Sequence, residues 1–325
     1  MKTISNPNFS IIVPGSCNAS CSFCFWEKKN IYTSDLDVYI NNLKELMNRL
    51  DKNVFKILSI TGGEPTISKL FSPIIKSISK ERWSRVVLTT NGVGFIGCEE
   101  KINDLIGHVD HVNISRHSFS DAVNASIFKS SSVPNKAQLT EICERLNNIG
   151  IDVCLSAVDI GQIKNREWMY SFIKFAKEVG ASSVAIRKEQ NENSTLDESN
   201  SEYLFKDIKS IYSSSCPVCR TKSQMIKGMI VSWKSSTLEP SKDLGNLVYE
   251  LIYHPDNKLT LDWEGKIEYK TDSFSLVDIG VLNTKLKEIK KVDKKVIASK
   301  NKEPESFKSC GLGGGGGCGN VVGCG

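Results

Sequence analysis

Three cysteines, Cys17, Cys21 and Cys24, fall in one short segment, CNASCSFC, directly after a β-branched run. Thiolates at that spacing can wrap one face of a 4Fe-4S cubane and leave its fourth iron without a protein ligand. Clusters that only carry electrons normally have four cysteine ligands, so an open iron is a place for a second molecule to bind. The competing chemistry is a zinc knot, which would want a fourth Cys or His at local spacing, and none of the four histidines lies nearby. A second pair, Cys216 and Cys219, has the CxxC spacing of an iron or zinc site, with Pro217 stiffening the loop between them. Cys310, Cys318 and Cys324 could return to complete an auxiliary 4Fe-4S cluster with that pair. Cys98, Cys143 and Cys154 lie inside regular elements and read as small core residues.

Two further segments sit where chemistry is expected. Gly62-Gly63-Glu64-Pro65 ends the second apolar run, where glycines let the backbone approach a ligand closely. Thr89-Thr90-Asn91-Gly92 ends the third. Taken alone, the first is equally a glycine turn capping a helix and the second an ordinary Asn-Gly turn. Ser115, Ser156 and Arg187 are polar residues at the ends of later runs, where a serine also often just satisfies local backbone.

With Phe23 as the aromatic position, the order CxxxCxΦC, GGEP, TTNG resembles the radical S-adenosylmethionine (SAM) superfamily, and its TTNG segment is similar to that of the molybdopterin-precursor cyclase. The resemblance implies a partial (βα)6 TIM-like barrel. It implies that the methionine amino and carboxylate groups of SAM chelate the open iron, and that cluster reduction cleaves SAM to methionine and a hydrogen-abstracting 5′-deoxyadenosyl radical. Phe23 or Phe25 would pack near the adenine. Gly62, Gly63, Glu64 and Pro65 would hold the methionine end, with Glu64 accepting from its ammonium, and Thr90, Asn91, Ser115, Ser156 and Arg187 would complete the SAM pocket. Arg116 or His117 would face substrate, and no residue is assigned as catalytic. An external electron donor such as flavodoxin or ferredoxin is implied too. The auxiliary cluster would be similar to that of twitch and SPASM relatives, although the cysteine-free stretch from Cys219 to Cys310 departs from their spacing.

The superfamily's one radical generator serves many reactions, so the fold does not name the substrate. The first expectation is modification or maturation of a peptide or small-molecule substrate, and the second is a nucleotide cyclisation. A reading of another class is a non-catalytic zinc or Fe-S binding protein, which would release no 5′-deoxyadenosine.

The elements that must position these groups are visible as alternating β-branched runs and amphipathic stretches, the pattern of an α/β protein with a parallel sheet. Strands are expected at Phe9 to Val13, Phe55 to Ile60, Arg85 to Thr89, Val109 to Ser115, Asp152 to Val158 and Ser183 to Arg187. The first helix should start at Ser34 or Asp35 and bury Leu36, Ile40, Leu43, Leu46, Met47 and Leu50. Functional loops then gather at the C-terminal ends of the strands. Residues 1–190 form the expected core barrel, 191–300 a C-terminal extension and 301–325 a Gly/Cys-rich tail. That tail admits three readings: disorder, a source of cluster ligands, or a peptide that enters the active site. The polar stretch from Gln190 to Ser201 marks the first boundary, before a helix near Glu202 to Tyr212 and antiparallel segments around Pro255-Asp256-Asn257.

Composition bounds the rest. Of 325 residues, 40% are hydrophobic and 24% charged, as in an ordinary globular protein. The net charge of +5, richest between Lys285 and Lys302, could favour an anionic partner, but lysine and aromatic residues do not interleave as in nucleic-acid binders. The N-terminal apolar run is too short for a membrane span, so no membrane partner and a cytoplasmic location are expected. In a reducing compartment, eleven cysteines argue for metal ligation before disulfides.

Overall fold

The computed structural model describes residues 2–24, 35–189, 203–213, 221–234, 247–261, 263 and 265. Six parallel strands form its frame: β1 (Lys2–Val13), β2 (Ile57–Gly62), β3 (Arg85–Thr90), β4 (His111–Ser115), β5 (Asp152–Asp159) and β6 (Ser183–Lys188). Each lies beside the next in register, Phe9 opposite Leu58 and Ser115 opposite Ser156. Helices α1 (Leu36–Arg49), α2 (Phe71–Lys76), α3 (Glu99–Asn103), α4 (Asp121–Phe128), α5 (Lys136–Asn148) and α6 (Arg166–Glu178) return the chain between strands. Parallel neighbours need such crossovers.

Local sequence explains the helix ends. The Asp35 side chain accepts from the Val38 N–H at 3.0 Å and caps α1. Asn135 and Gln138 form a reciprocal capping box at α5, and the Asn165 side chain caps α6. On α1 the buried residues are Tyr39, Leu43, Leu46 and Met47, whereas Leu36 is half-exposed. Tyr39 earns its buried place through its hydroxyl, which donates to the Ile12 carbonyl at 3.0 Å.

The C-terminal strands do not stand apart. β7 (Ser210–Ser213), β8 (Lys222–Ile226), β9 (Met229–Lys234), β10 (Leu247–Tyr253) and β11 (Leu259–Thr260) extend the same sheet, in the order β11-β10-β1-β2-β3-β4-β5-β6-β9-β8-β7. β10 runs parallel to β1 and β9 parallel to β6, so eight parallel strands are continuous. The described sheet is open, a partial barrel rather than a closed one. The helix expected near Glu202 is instead a 3-10 turn, Tyr203–Phe205, followed by β7. Phe205 is buried in the main core and β8 offers β7 an antiparallel edge, so tertiary partners override a weak local helix signal. The hairpin at Pro255-Asp256-Asn257 forms as expected, with Asn257 at φ 62°. Among the described residues no helix is long and apolar enough to cross a membrane.

The two faces of the sheet differ. Leu58, Leu88, Val112, Leu155, Val184 and Val231 face the helices in one continuous core. By alternation Ser10, Ser59, Asn113, Cys154, Ser183 and Ser232 face the interior, all buried. Barrel interiors are normally filled by Val, Ile and Leu, and this inner face is more polar than that pattern.

Candidate functional site

The site is assembled where β1, β2 and β3 end. A Cβ on Gly63 would come 2.8 Å from the Ser16 carbonyl oxygen and 3.2 Å from the Cys17 nitrogen, so only glycine lets these loops touch. Gly62 is packed the same way, 2.8 Å from the Val13 oxygen. The Glu64 N–H donates to the Ser16 carbonyl at 3.1 Å. The GGEP segment is therefore the floor on which the cysteine loop rests. Pro65 follows as the first residue of a 3-10 turn, a place where its missing N–H costs nothing.

Glu64 is 2% exposed and ties the next loop to this floor. Its Oε1 accepts from the Thr66 N–H at 3.0 Å, the Thr66 hydroxyl at 2.6 Å and the Thr90 hydroxyl; Oε2 accepts from the Asn91 N–H at 2.6 Å. Burial pushes its carboxyl pKa up, and the four donors pull it back part of the way. Asn91 donates from Nδ2 to Asn18 Oδ1 at 2.7 Å, which carries the connection onto the cysteine loop itself. Gly92, at φ 86°, makes the turn that lets its N–H reach the Thr90 hydroxyl at 2.9 Å.

Cys17 and Cys24 are exposed and Cys21 is half-buried. Burial, then the charges of Cys24 and Cys17, push the Cys21 thiol up to about 12; burial likewise raises Cys17. Three thiolates on one loop therefore need a cationic partner, and cluster iron is one. Among the described residues no three His, Cys, Asp or Glu side chains converge as a single metal ion requires.

The remaining expected residues divide. Ser115 and Ser156 lie opposite each other on β4 and β5, half-buried, and Arg187 stands opposite Val158 near the end of β6. Thr90 shares the helix-facing side of β3 with Leu88, and its hydroxyl serves the loop network. Arg116 does not face the sheet's inner side: its guanidinium is buried against the carbonyls of Ser118 (2.6 Å) and Pro134 (2.9 Å) and the Asp121 carboxylate (2.5 Å). Three acceptors in a fork hold it as a structural clamp. Phe25, Cys216, Cys219, Cys310, Cys318 and Cys324 lie outside the described residues. Cys143 and Cys154 are buried as expected of core residues, while Cys98 is half-exposed.

Several residues at the site escape motif reading: Asn18, Thr66, Ser132 and Phe128. The Ser20 N–H donates to the Phe128 carbonyl at 2.9 Å and Asn18 Nδ2 to the Ser132 hydroxyl at 2.8 Å, so the far side of the cysteine loop leans on the end of α4. Only Thr66 carried a signal, as a side chain two residues past a motif carboxylate.

A family model described as the radical SAM superfamily matches residues 11–176, half of the chain. The chain belongs to that superfamily. Its members are enzymes that use a 4Fe-4S cluster and SAM. Among curated proteins it is 25% identical over 176 residues to a probable GTP 3′,8-cyclase of Saccharolobus islandicus, covering 52% of this chain and 53% of that protein. A protein of the same name from Methanocaldococcus jannaschii is 26% identical over 178 residues, covering 53% and 55%. The matched region is thus about half the length of these relatives. Among solved structures, Streptococcus suis SuiB bound to S-adenosylmethionine aligns with a TM-score of 0.56 at 12% identity, covering 85% of this chain and 64% of that one. That likeness is one of fold, and it reaches past the family match into the C-terminal strands.

Proposed function

We propose that Cys17, Cys21 and Cys24 hold the 4Fe-4S cluster, that SAM binds at its open iron, and that the enzyme modifies a peptide or small polar molecule admitted to the barrel interior. The observation that carries this reading is the contact of the cysteine loop with the GGEP floor, Gly63 against Ser16 and Cys17. When bound, the cluster supplies the electron that cleaves SAM to methionine and a 5′-deoxyadenosyl radical. The chain's own residues position and shield. Phe23 supplies an aromatic wall for the adenine. Glu64, with one lone pair of Oε2 beyond its protein donors, orients the methionine ammonium, and Asn91 keeps the loops in contact. Ser115, Ser156 and Arg187 offer donors toward the carboxylate and ribose. The electron comes from an external protein such as flavodoxin or ferredoxin.

The polar inner wall, with Asn113, Ser183 and Ser232, suits a substrate that makes hydrogen bonds. Nucleotide cyclisation is the second reading, favoured by the names of the curated relatives. An auxiliary cluster on Cys216, Cys219, Cys310, Cys318 and Cys324 belongs to the first reading.

The test is anaerobic reconstitution with iron and sulfide, followed by dithionite and SAM. The enzyme should release 5′-deoxyadenosine, and the Cys17→Ala/Cys21→Ala/Cys24→Ala variant should release none. A reconstituted protein that never releases it would be a non-catalytic metal protein. About four irons left on the triple variant would support the auxiliary cluster, and near zero would reject it.

A further inference from the structure

The cysteine loop has a second support that no motif describes. His117 follows β4 and is 3% exposed. The Phe23 ring meets its imidazole edge-on, centroids 4.9 Å apart at 71°, and the Phe128 ring covers it from another side at 4.7 Å and 46°. The imidazole cannot turn away. Its Nδ1 accepts from the Val158 N–H at 3.1 Å, while the His117 backbone N–H donates to Asn124 Oδ1 at 2.8 Å and the backbone carbonyl accepts from Gln162 Nε2 at 3.3 Å. Accepting at Nδ1 puts the proton of the neutral ring on Nε2. Phe128 also takes the Ser20 N–H on its carbonyl at 2.9 Å, so one end of α4 grips the loop through both backbone and ring stack.

We propose that His117 is a positioning residue for SAM: its fixed ring sets where Phe23 stands, and Phe23 in turn sets the adenine wall. This rests on the assignment of the cysteine loop to the cluster and goes beyond it, because His117 would act through the Phe23 ring rather than as a ligand of the cluster. Phe23 is half-buried on a loop and has no other ring contact among the described residues, so without the His117 edge its side chain would sample several rotamers and bind adenine with an added ordering cost.

Three variants separate the contributions. His117→Asn offers the Val158 N–H an acceptor but removes the ring; His117→Phe keeps a ring and loses the acceptor; Phe23→Leu changes a half-buried side chain and does not threaten folding. The readouts are iron content after reconstitution and KM for SAM against kcat of dithionite-driven 5′-deoxyadenosine release. Phe23→Leu and His117→Asn should each raise KM about tenfold, the size of one aromatic pair, with iron unchanged and kcat within about twofold. The double variant should be no worse than either single, because both remove the same contact. His117→Phe should lie between the native enzyme and His117→Asn. Multiplying effects in the double variant, or an unchanged KM in Phe23→Leu, would overturn the proposal; the second outcome does so even if the His117 variants fail to fold. A native protein that binds iron but releases no 5′-deoxyadenosine would instead sink the functional assignment beneath it.

Discussion

The two faces of one sheet do different work with the same strands. Toward the helices, residues such as Leu58 and Leu155 are fully buried in an apolar core; toward the interior, the neighbours Ser59 and Ser156 on the same strands are polar. Apolar burial on one side holds the fold together, which leaves the other side free to carry groups a core would reject. Several interior polar groups are paired: Asn8 Nδ2 donates to Ser59 at 3.3 Å, His111 Nε2 meets Asn113 Oδ1 at 3.1 Å while its Nδ1 is buried without a partner among the described residues, and Ser223 and Ser232 bond at 2.9 Å. Function is thus placed where stability asks least.

The largest test of that contrast is truncation on the helix side. Leu58→Ala or Leu155→Ala should each cost about 2 to 5 kcal/mol in urea unfolding, because both sit at full burial among packed neighbours. A loss under about 1 kcal/mol would mean that the helix-facing side does not hold the fold.

Glu64→Gln probes the boundary between the faces. Its amide would point a donor at one of the groups that now donate to the carboxylate, at a cost of about 1 to 3 kcal/mol. The urea midpoint should fall without loss of reconstituted iron, since the cysteines remain.

Acid should reach the interior before the core. Burial, with Arg85 nearby, lowers His111 to about 3, and burial, with Arg116 nearby, lowers His117 to about 3, from 6.5. Below pH 6.5 the unfolded chain therefore takes up protons that the folded chain refuses, so their contribution is fullest above pH 6.5 and declines as pH falls toward 3. By pH 5 the loss is at most about 2 kcal/mol for each histidine. Urea unfolding at pH 7 and pH 5 should show it, and a His111→Asn/His117→Asn variant should show a flatter dependence.

The smallest effect belongs to a paired interior bond. Replacing both Ser223 and Ser232 by Ala removes donor and acceptor together, so the urea midpoint should move by less than about 1 kcal/mol. A larger loss would show that the inner wall, too, is a structural core.

Much of the site was legible because it is local. Cysteine spacing, the GGEP and TTNG segments and their βα order are short-range patterns, and strands β2 to β6 lie within about two residues of where alternation places them. Contacts between loops were not legible. Thr90 reads as a pocket residue, but strand alternation turns it toward the helices and Glu64 takes its hydroxyl. Arg116 and His117 are adjacent in sequence and read alike, yet one is forked into carbonyls and the other wedged between two phenylalanine rings. Tyr39 was passed over because aliphatic periodicity does not anticipate a buried hydroxyl that finds a carbonyl.

By itself the sequence determined the chemistry at hand: three thiols on one loop, glycines where the backbone must approach, and a parallel α/β frame, all set by spacing over a few residues. Only the tertiary structure decided that Gly63 lies on Cys17, that Phe23 leans on His117, and that β9 and β10 extend the barrel sheet at opposite edges. Those contacts join segments tens to hundreds of residues apart, and their partners are chosen by packing and by the need of buried polar groups for a mate, which no local pattern records.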